Sequence, residues 1–140
     1  MKLIVMNGPN LNLLGVREPE IYGSTTFEDY FRELRSKFED HQLEYFQSNH
    51  EGALIDKLHE VGFSFDGIVM NPGAYTHTSI AIRDAISSIT TPVVEVHISN
   101  LEEREEFRQI SYVKDVCIGS VVGMGLAGYS KALEKIIENH

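Results

Sequence analysis

The stretch Leu3-Ile4-Val5-Met6, running straight into Asn7-Gly8-Pro9-Asn10, sets how the rest of the chain is read. A short apolar run stopped by turn-forming residues is the signature of a strand that ends in a loop. Further runs of this kind lie at Leu43 to Gln47, Gly67 to Met70, Val93 to Val96 and Val116 to Ile118, giving five expected strands. Helical periodicity fills the intervals. Phe27, Tyr30, Phe31, Leu34 and Phe38 share one face, with Thr25 and Glu28 at capping-box spacing ahead of them. Leu54, Ile55, Leu58 and Val61 share another, opened by Ser48 and Glu51 and stopped by Gly62. Ala81, Ile82, Ala85, Ile86 and Ile89 follow the capping pair Thr78-Ser79, and Leu126, Tyr129, Leu133, Ile136 and Ile137 form the last helical face.

Strands that alternate with helices pair in parallel, and their crossovers cover both sheet faces. The expected fold is therefore α/β, a flavodoxin-like doubly wound sandwich with a five-stranded parallel sheet and helices on both faces. It occupies one domain over residues 1–140. Two connections are too long for this scheme, where about 2 to 6 residues suffice. Residues 8–24 follow the first strand and residues 71–79 the third. Both leave the carboxyl ends of strands, where open α/β sheets hold their ligands, so residues 8–24 read as a lid.

Composition narrows the field. The 140 residues are 42% hydrophobic and 24% charged, an ordinary balance for a globular chain, and the net charge is −9. That charge argues against a nucleic-acid or anionic-membrane partner. No apolar run approaches the roughly 20 residues that span a bilayer, and the N-terminal run is too short for a signal-peptide core. The lone Cys117 lies in the expected fifth strand and reads as a buried inert thiol in a reducing compartment. The expected location is cytoplasmic.

The loops at one sheet edge supply amides, two histidines, a tyrosine and arginines. None ends in the Gly-Lys-Ser/Thr of a nucleotide cradle. His77 and His97 stand twenty residues apart with no third ligand at a recognised spacing, so a metal site is not expected. Acid–base chemistry on an anionic, oxygen-rich substrate remains.

Four blocks make this specific. They are Gly8-Pro9-Asn10-Leu11-Asn12-Leu13-Leu14-Gly15, then Arg17-Glu18-Pro19 through Tyr22-Gly23, then Asn71-Pro72-Gly73-Ala74-Tyr75-Thr76-His77-Thr78-Ser79, and Glu95-Val96-His97-Ile98-Ser99-Asn100. In order and spacing they resemble the signature blocks of the type II 3-dehydroquinate dehydratase family, and the resemblance covers essentially the whole chain. It implies an anti elimination of water from 3-dehydroquinate, giving 3-dehydroshikimate in the shikimate pathway through an enolate, with no metal or cofactor. Such a reaction needs a base, an enolate stabiliser and an acid.

By the same resemblance Tyr22 is the base, acting as phenolate, and Arg17 is the cation that favours that form. Glu18 and Glu20 would oppose it, and are expected to face solvent. Asn10 holds a water against the enolate oxygen. His97 protonates the departing hydroxyl and Glu95 orients it. Asn71, His77, Ile98, Ser99 and Arg108 bind the substrate, with Gly73 and Ala74 in support. A helix beginning near Leu101 would turn its N-terminus toward the substrate carboxylate. Asp84 would reach the site of a neighbouring subunit in a homododecamer built as a tetramer of trimers. The acidic run at residues 102–106 would make the mouth of the site more negative.

Taken singly, these residues also have plain readings: Tyr22 as an exposed loop tyrosine, His77 as a solvated loop residue, His97 as a core histidine, Arg83 and Asp84 as a solvated pair, and Asn10 as a turn residue after Pro9. His41, His50, His59 and His140 read as surface or helix-end residues. Gly123-Met124-Gly125-Leu126-Ala127-Gly128 fits a dinucleotide fingerprint, but only twelve residues follow it, too few for the required strand and ribose-binding acid. Close packing at a helix start accounts for the glycines. A non-enzymatic flavodoxin-like or receiver-like binding domain is the alternative function, and the receiver version lacks a phosphorylatable aspartate at Met70-Asn71. A Schiff-base dehydratase would need a lysine in an apolar site, and none of Lys2, Lys37, Lys57, Lys114, Lys131 or Lys135 is so placed.

Overall fold

A computed structural model of the chain describes residues 1–16, 20 and 24–140. Among these residues are five strands, β1 (Lys2–Asn7), β2 (Gln42–Gln47), β3 (Gly67–Asn71), β4 (Val93–His97) and β5 (Gly119–Val122). All pair in parallel, in the order β2-β1-β3-β4-β5. The helices described are α1 (Phe27–Lys37), α2 (Glu51–Val61), α3 (Ile80–Ser88) and α4 (Ala127–Glu138). This is the flavodoxin-like doubly wound arrangement, whose order reverses between β1 and β3.

Strand alternation sorts the core into two layers. Leu3 and Val5 of β1 pack with Phe27 and Leu34 of α1 and with Tyr129, Leu133 and Ile136 of α4. Ile4 and Met6 face the other way, onto Leu54, Leu58 and Val61 of α2 and Ile82, Ala85 and Ile86 of α3. Val93 joins the second layer, while Val94 and Val96 join the first. Gly128, from the glycine-rich run, brings α4 onto β4 and β5: a Cβ there would stand 3.2 Å from Val96 and 3.4 Å from Val121.

Several local expectations shift. The fifth strand starts at Gly119, not Val116, because Lys114–Val116 closes a 3-10 turn and Ile118 N first joins the sheet, donating to Val93 O at 2.8 Å. Cys117 therefore lies outside the strand, half-buried, with burial and then the nearby Glu95 charge pushing its thiol up to about 12. The cap of α1 is one residue later than expected, with Thr26 Oγ1 accepting from Asp29 N at 3.3 Å. His50 is the N-cap of α2, while Ser48 Oγ accepts from His50 N. Ser79 caps α3 as expected, accepting from Ile82 N at 2.9 Å. The expected lid lies partly outside the described residues. Its first part forms a 3-10 turn, Leu11–Leu13, anchored by buried Leu11 and Leu14.

The sheet carries its own polar link. Asn7 and Asn71, the last residues of β1 and β3, are register partners, and both are buried. The Tyr129 hydroxyl donates to Asn7 Oδ1 at 2.7 Å and accepts from Asn71 Nδ2 at 3.0 Å. Asn7 Nδ2 donates in turn to Tyr45 OH at 3.2 Å. Burial raises the Tyr129 hydroxyl's pKa well above the usual phenol value, so it stays a neutral bridge. Tyr129→Phe strands two buried amides and should cost about 2 kcal/mol. Urea denaturation should show a lower midpoint with an unchanged slope, and an unchanged midpoint would refute the linking role.

Candidate active site

The carboxyl ends of β1, β3 and β4 open into a single cavity, formed where the loops after these strands meet. Its wall includes Asn10, Asn71, Gly73, Ala74, His77, His97, Ile98, Ser99 and Arg108, all singled out in the sequence, together with Arg104. Glu95 lies directly beneath His97. Asp84 is exposed on α3 and is not part of this wall. Arg17 and Tyr22 lie outside the described residues, as does Glu18; Glu20 is described and exposed.

The loops after β1 and β3 are fitted backbone to backbone. Gly8 N donates to Asn71 O at 2.8 Å, and a Cβ on Gly8 would fall 2.3 Å from Pro72 O. Gly73 takes φ +63, with its N donating to Asn71 Oδ1 at 3.0 Å. Asn10 adopts φ +70, a left-handed conformation that asparagine tolerates better than most residues. Its backbone N–H donates to Asn49 Oδ1 at 3.0 Å, and Gln47 Nε2 holds both Asn49 Oδ1 and Gly8 O at 3.1 Å. These contacts set Asn10 at the rim.

Glu95 and His97 are two residues apart on β4, so the strand period puts them on one face. His97 Nε2 is 2.6 Å from Glu95 Oε2, with side-chain exposures of 6% and 1%. Ser111 Oγ donates to the same oxygen, and Ser120 Oγ donates to Oε1 at 3.0 Å. Ser120 is the register partner of Glu95 on β5. Burial pushes the Glu95 carboxyl up, but the His97 hydrogen bond and charge, with the two serines, outweigh it and leave its pKa below the ordinary carboxylate value. An ionised acceptor at Oε2 means that His97 Nε2 carries a proton, leaving Nδ1 for a ligand.

His77 is anchored differently. Its Nδ1 donates to Ile110 O at 2.7 Å, so neutral His77 offers Nε2 as an acceptor. Burial lowers its pKa, and the positive charges of His97, Arg108 and Arg104 reinforce that against the Ile110 hydrogen bond, which raises it. The cationic side is Arg108 and Arg104. Arg108 Nε donates to Glu105 Oε2 at 3.1 Å, and Arg104 Nη1 donates to Ser99 Oγ at 3.0 Å. Glu105 also stands 3.6 Å from Arg104 Nε, so the acidic run places a carboxylate between the two guanidinium groups. The expected helix near Leu101 is instead two single 3-10 turns, Leu101–Glu103 and Glu106–Arg108. Asn100 Oδ1 accepts from Glu102 N at 3.1 Å. One turn has almost no macrodipole, so the helix-terminus argument for holding a carboxylate fails, and the guanidinium groups remain as the anion-binding feature.

Sequence reasoning missed Ser111 and Ser120, and counted Arg104 among the arginines at the sheet edge without giving it a role. Ser120 would have been found from its pairing with Glu95, had the fifth strand been set at residue 119. Ser111 lies in an irregular loop with no periodic signal. Among the described residues no group of three or more His, Cys, Asp or Glu side chains could hold a metal ion.

Fold and cavity together define an α/β protein whose strand-end cavity is lined by amides, two histidines and two arginines. A family model described as Dehydroquinase class II matches residues 1–137, and the chain belongs to that family of hydro-lyases. A 3-dehydroquinate dehydratase from an Exiguobacterium species is 54% identical over 140 residues, covering 99% of this chain and 96% of the relative. A catabolic 3-dehydroquinase from Verticillium alfalfae is 50% identical over 135 residues, covering 95% and 90%. The crystal structure of type II dehydroquinase from Butyrivibrio crossotus superposes with a TM-score of 0.94 at 52% identity, covering 98% of this chain and 97% of that one.

The depressed Glu95 value has a stability consequence of fixed sign. Its contribution is complete above the unfolded value near 4.5 and is lost as pH falls through the lower folded value. The stability gap between wild type and Glu95→Gln, from urea midpoints, should therefore be widest at neutral pH and shrink below about pH 4.5. A gap that stays constant with pH would refute an ionised Glu95 in the folded state.

Proposed function

We propose that this protein converts 3-dehydroquinate to 3-dehydroshikimate by anti elimination of water through an enolate, with His97 as acid and Tyr22 as base. The observation that carries the acid assignment is the His97–Glu95 pair on the cavity wall. The ionised carboxylate accepts the Nε2 proton of His97, which leaves Nδ1 as the atom that can pass a proton to a departing hydroxyl. Hydroxide is a poor leaving group, and the proton lets it depart as water.

Tyr22 removes the proton next to the ketone as a phenolate, and Arg17 lowers the cost of that charge. Both roles come from the family resemblance of their block. Asn10 holds a water against the enolate oxygen, an assignment supported by its fixed position at the rim. Arg108 binds the substrate's oxygen-rich face, His77 accepts from a hydroxyl through Nε2, and Ile98, Ser99 and Asn71 complete the binding surface. Gly73 lets the loop after β3 approach the Pro9 carbonyl closely, and Ala74 adds a small side chain to the wall.

The protein acts in the cytoplasm as a homododecamer, a tetramer of trimers, in which Asp84 reaches a neighbouring subunit's site. Support for self-association comes from Ile80 and Ile110, exposed at 60% and 65% beside the His77 loop, and from the exposed position of Asp84. Among the described residues no helix is long and apolar enough to cross a membrane.

Mixing purified protein with 3-dehydroquinate and a chelator should give a rising ultraviolet signal, since the product's double bond is conjugated to its carboxylate. No rise from folded protein would overturn the proposal. Tyr22→Phe and His97→Asn should each lower kcat by about a hundredfold or more while substrate still binds, the usual scale for a lost general base or acid. Near-normal kcat in either variant would remove that residue from its role.

A further inference from the structure

Ser111 lies between the Glu106–Arg108 turn and β5, outside the blocks that carry the family resemblance. Its Oγ accepts from two backbone amides, Val113 N at 3.3 Å and Lys114 N at 3.2 Å. A serine hydroxyl has two lone pairs and one proton. With both lone pairs facing amides, the proton can only be donated outward, and it goes to Glu95 Oε2. The loop has thus fixed the polarity of this hydroxyl.

That oxygen is the one facing His97 Nε2 at 2.6 Å. A proton moved onto Oε2 would still point at His97 Nε2, but it would turn a carboxylate oxygen into a hydroxyl oxygen, a weaker acceptor for a Ser111 proton that cannot turn elsewhere. Ser120 offers no such constraint at Oε2, because it donates to the other oxygen, Oε1. The proton between Glu95 and His97 therefore belongs on nitrogen.

We propose that Ser111 is a positioning residue that acts through Glu95 to keep the shared proton on His97 Nε2, so that Nδ1 serves the substrate. This rests on the reading of His97 as the proton donor. In the imidazolium, Glu95 holds the Nε2 proton and the Nδ1 proton is the one delivered. As the carbon–oxygen bond breaks, its electron pair leaves with the hydroxyl, which takes that proton and departs as water. The imidazole is left neutral with Nε2 still protonated, ready to be recharged at Nδ1. Without Ser111, Glu95 Oε2 could hold that proton once Nδ1 has been recharged, so the donor would be a neutral imidazole, a far weaker acid than the imidazolium.

The test pairs Ser111→Ala with Ser111→Thr, which keeps the hydroxyl, and measures kcat and KM with 3-dehydroquinate. Ser111→Ala should lower kcat roughly ten- to a hundredfold, the scale of a lost hydrogen bond to a charged group, with KM within about twofold, and Ser111→Thr should recover most of the loss. Unchanged kcat in Ser111→Ala, or Ser111→Thr no better than Ser111→Ala, would overturn the proposal. Ring 15N spectra of histidine-labelled wild type, assigned with His97→Asn, give an answer that needs no folded Ser111 variant. Neutral His97 should be protonated at Nε2, and protonation at Nδ1 would overturn the proposal. His97→Asn separates the two levels. If it turns over normally, the donor reading itself fails. If it is inactive while Ser111→Ala is normal, only the role of Ser111 fails.

Discussion

Two parallel strands that end side by side in buried asparagines hold this site together. Asn7 and Asn71 are register partners at the point where the sheet order reverses, and each amide would be costly to bury unpaired. Tyr129, 122 residues from Asn7 along the chain, satisfies both with one hydroxyl. The docking of α4, the pairing of β1 with β3 and the start of both long loops therefore form one constraint. From that point the loops separate so closely that Gly8 faces the Pro72 carbonyl and Gly73 takes a left-handed turn. Asn10 and His77 reach the same cavity because their loops start from adjacent strand ends.

The pairing of His97 with Glu95 follows from a different regularity. A strand exposes every second residue on one face, so Glu95 and His97 must stand together, and β5 in register must bring Ser120 beside Glu95. A carboxylate at 1% exposure stays charged only when donors surround it. Here three donors do so: an imidazole and two hydroxyls. The ionised form in turn holds a proton on His97 Nε2 at the cavity wall. Geometry set by the sheet thus becomes a property of one proton.

Much of this was legible in the sequence, for identifiable reasons. Buried strands and amphipathic helices announce themselves by period, so the parallel sheet and its two covering layers followed from positions such as Leu3, Val5, Leu54 and Leu133. The site residues at strand ends came with contiguous blocks, and those that the structure describes in the walls, from Asn10 to Arg108, converge on one cavity. What escaped depended on hydrogen bonds rather than pattern. Val116-Cys117-Ile118 has strand-like composition, yet the Lys114–Val116 turn consumes the backbone groups a strand would need. The run after Leu101 has helical composition, yet the backbone goes extended at Arg104 and leaves two single turns on either side. Ser111 carries no sequence signal, because its meaning lies in the two amides that hold its hydroxyl.

Charge completes the account. A chain of net charge −9 presents two arginines to the strand-end cavity, and the surrounding field does not cancel them. Charges further apart than roughly 8 to 10 Å are largely screened at physiological salt, so the site answers to its own neighbours. Those neighbours are Arg104 and Arg108 on one side and Glu105 between them. Glu105 balances the guanidinium groups from a largely exposed position at the rim, where water weakens its hold. The arginine side chains are less exposed, at 14% and 26%, so an anion entering the cavity meets them with less solvent in between. The acidic surface and the arginine-lined interior are thus separated by depth, with Glu105 at the boundary.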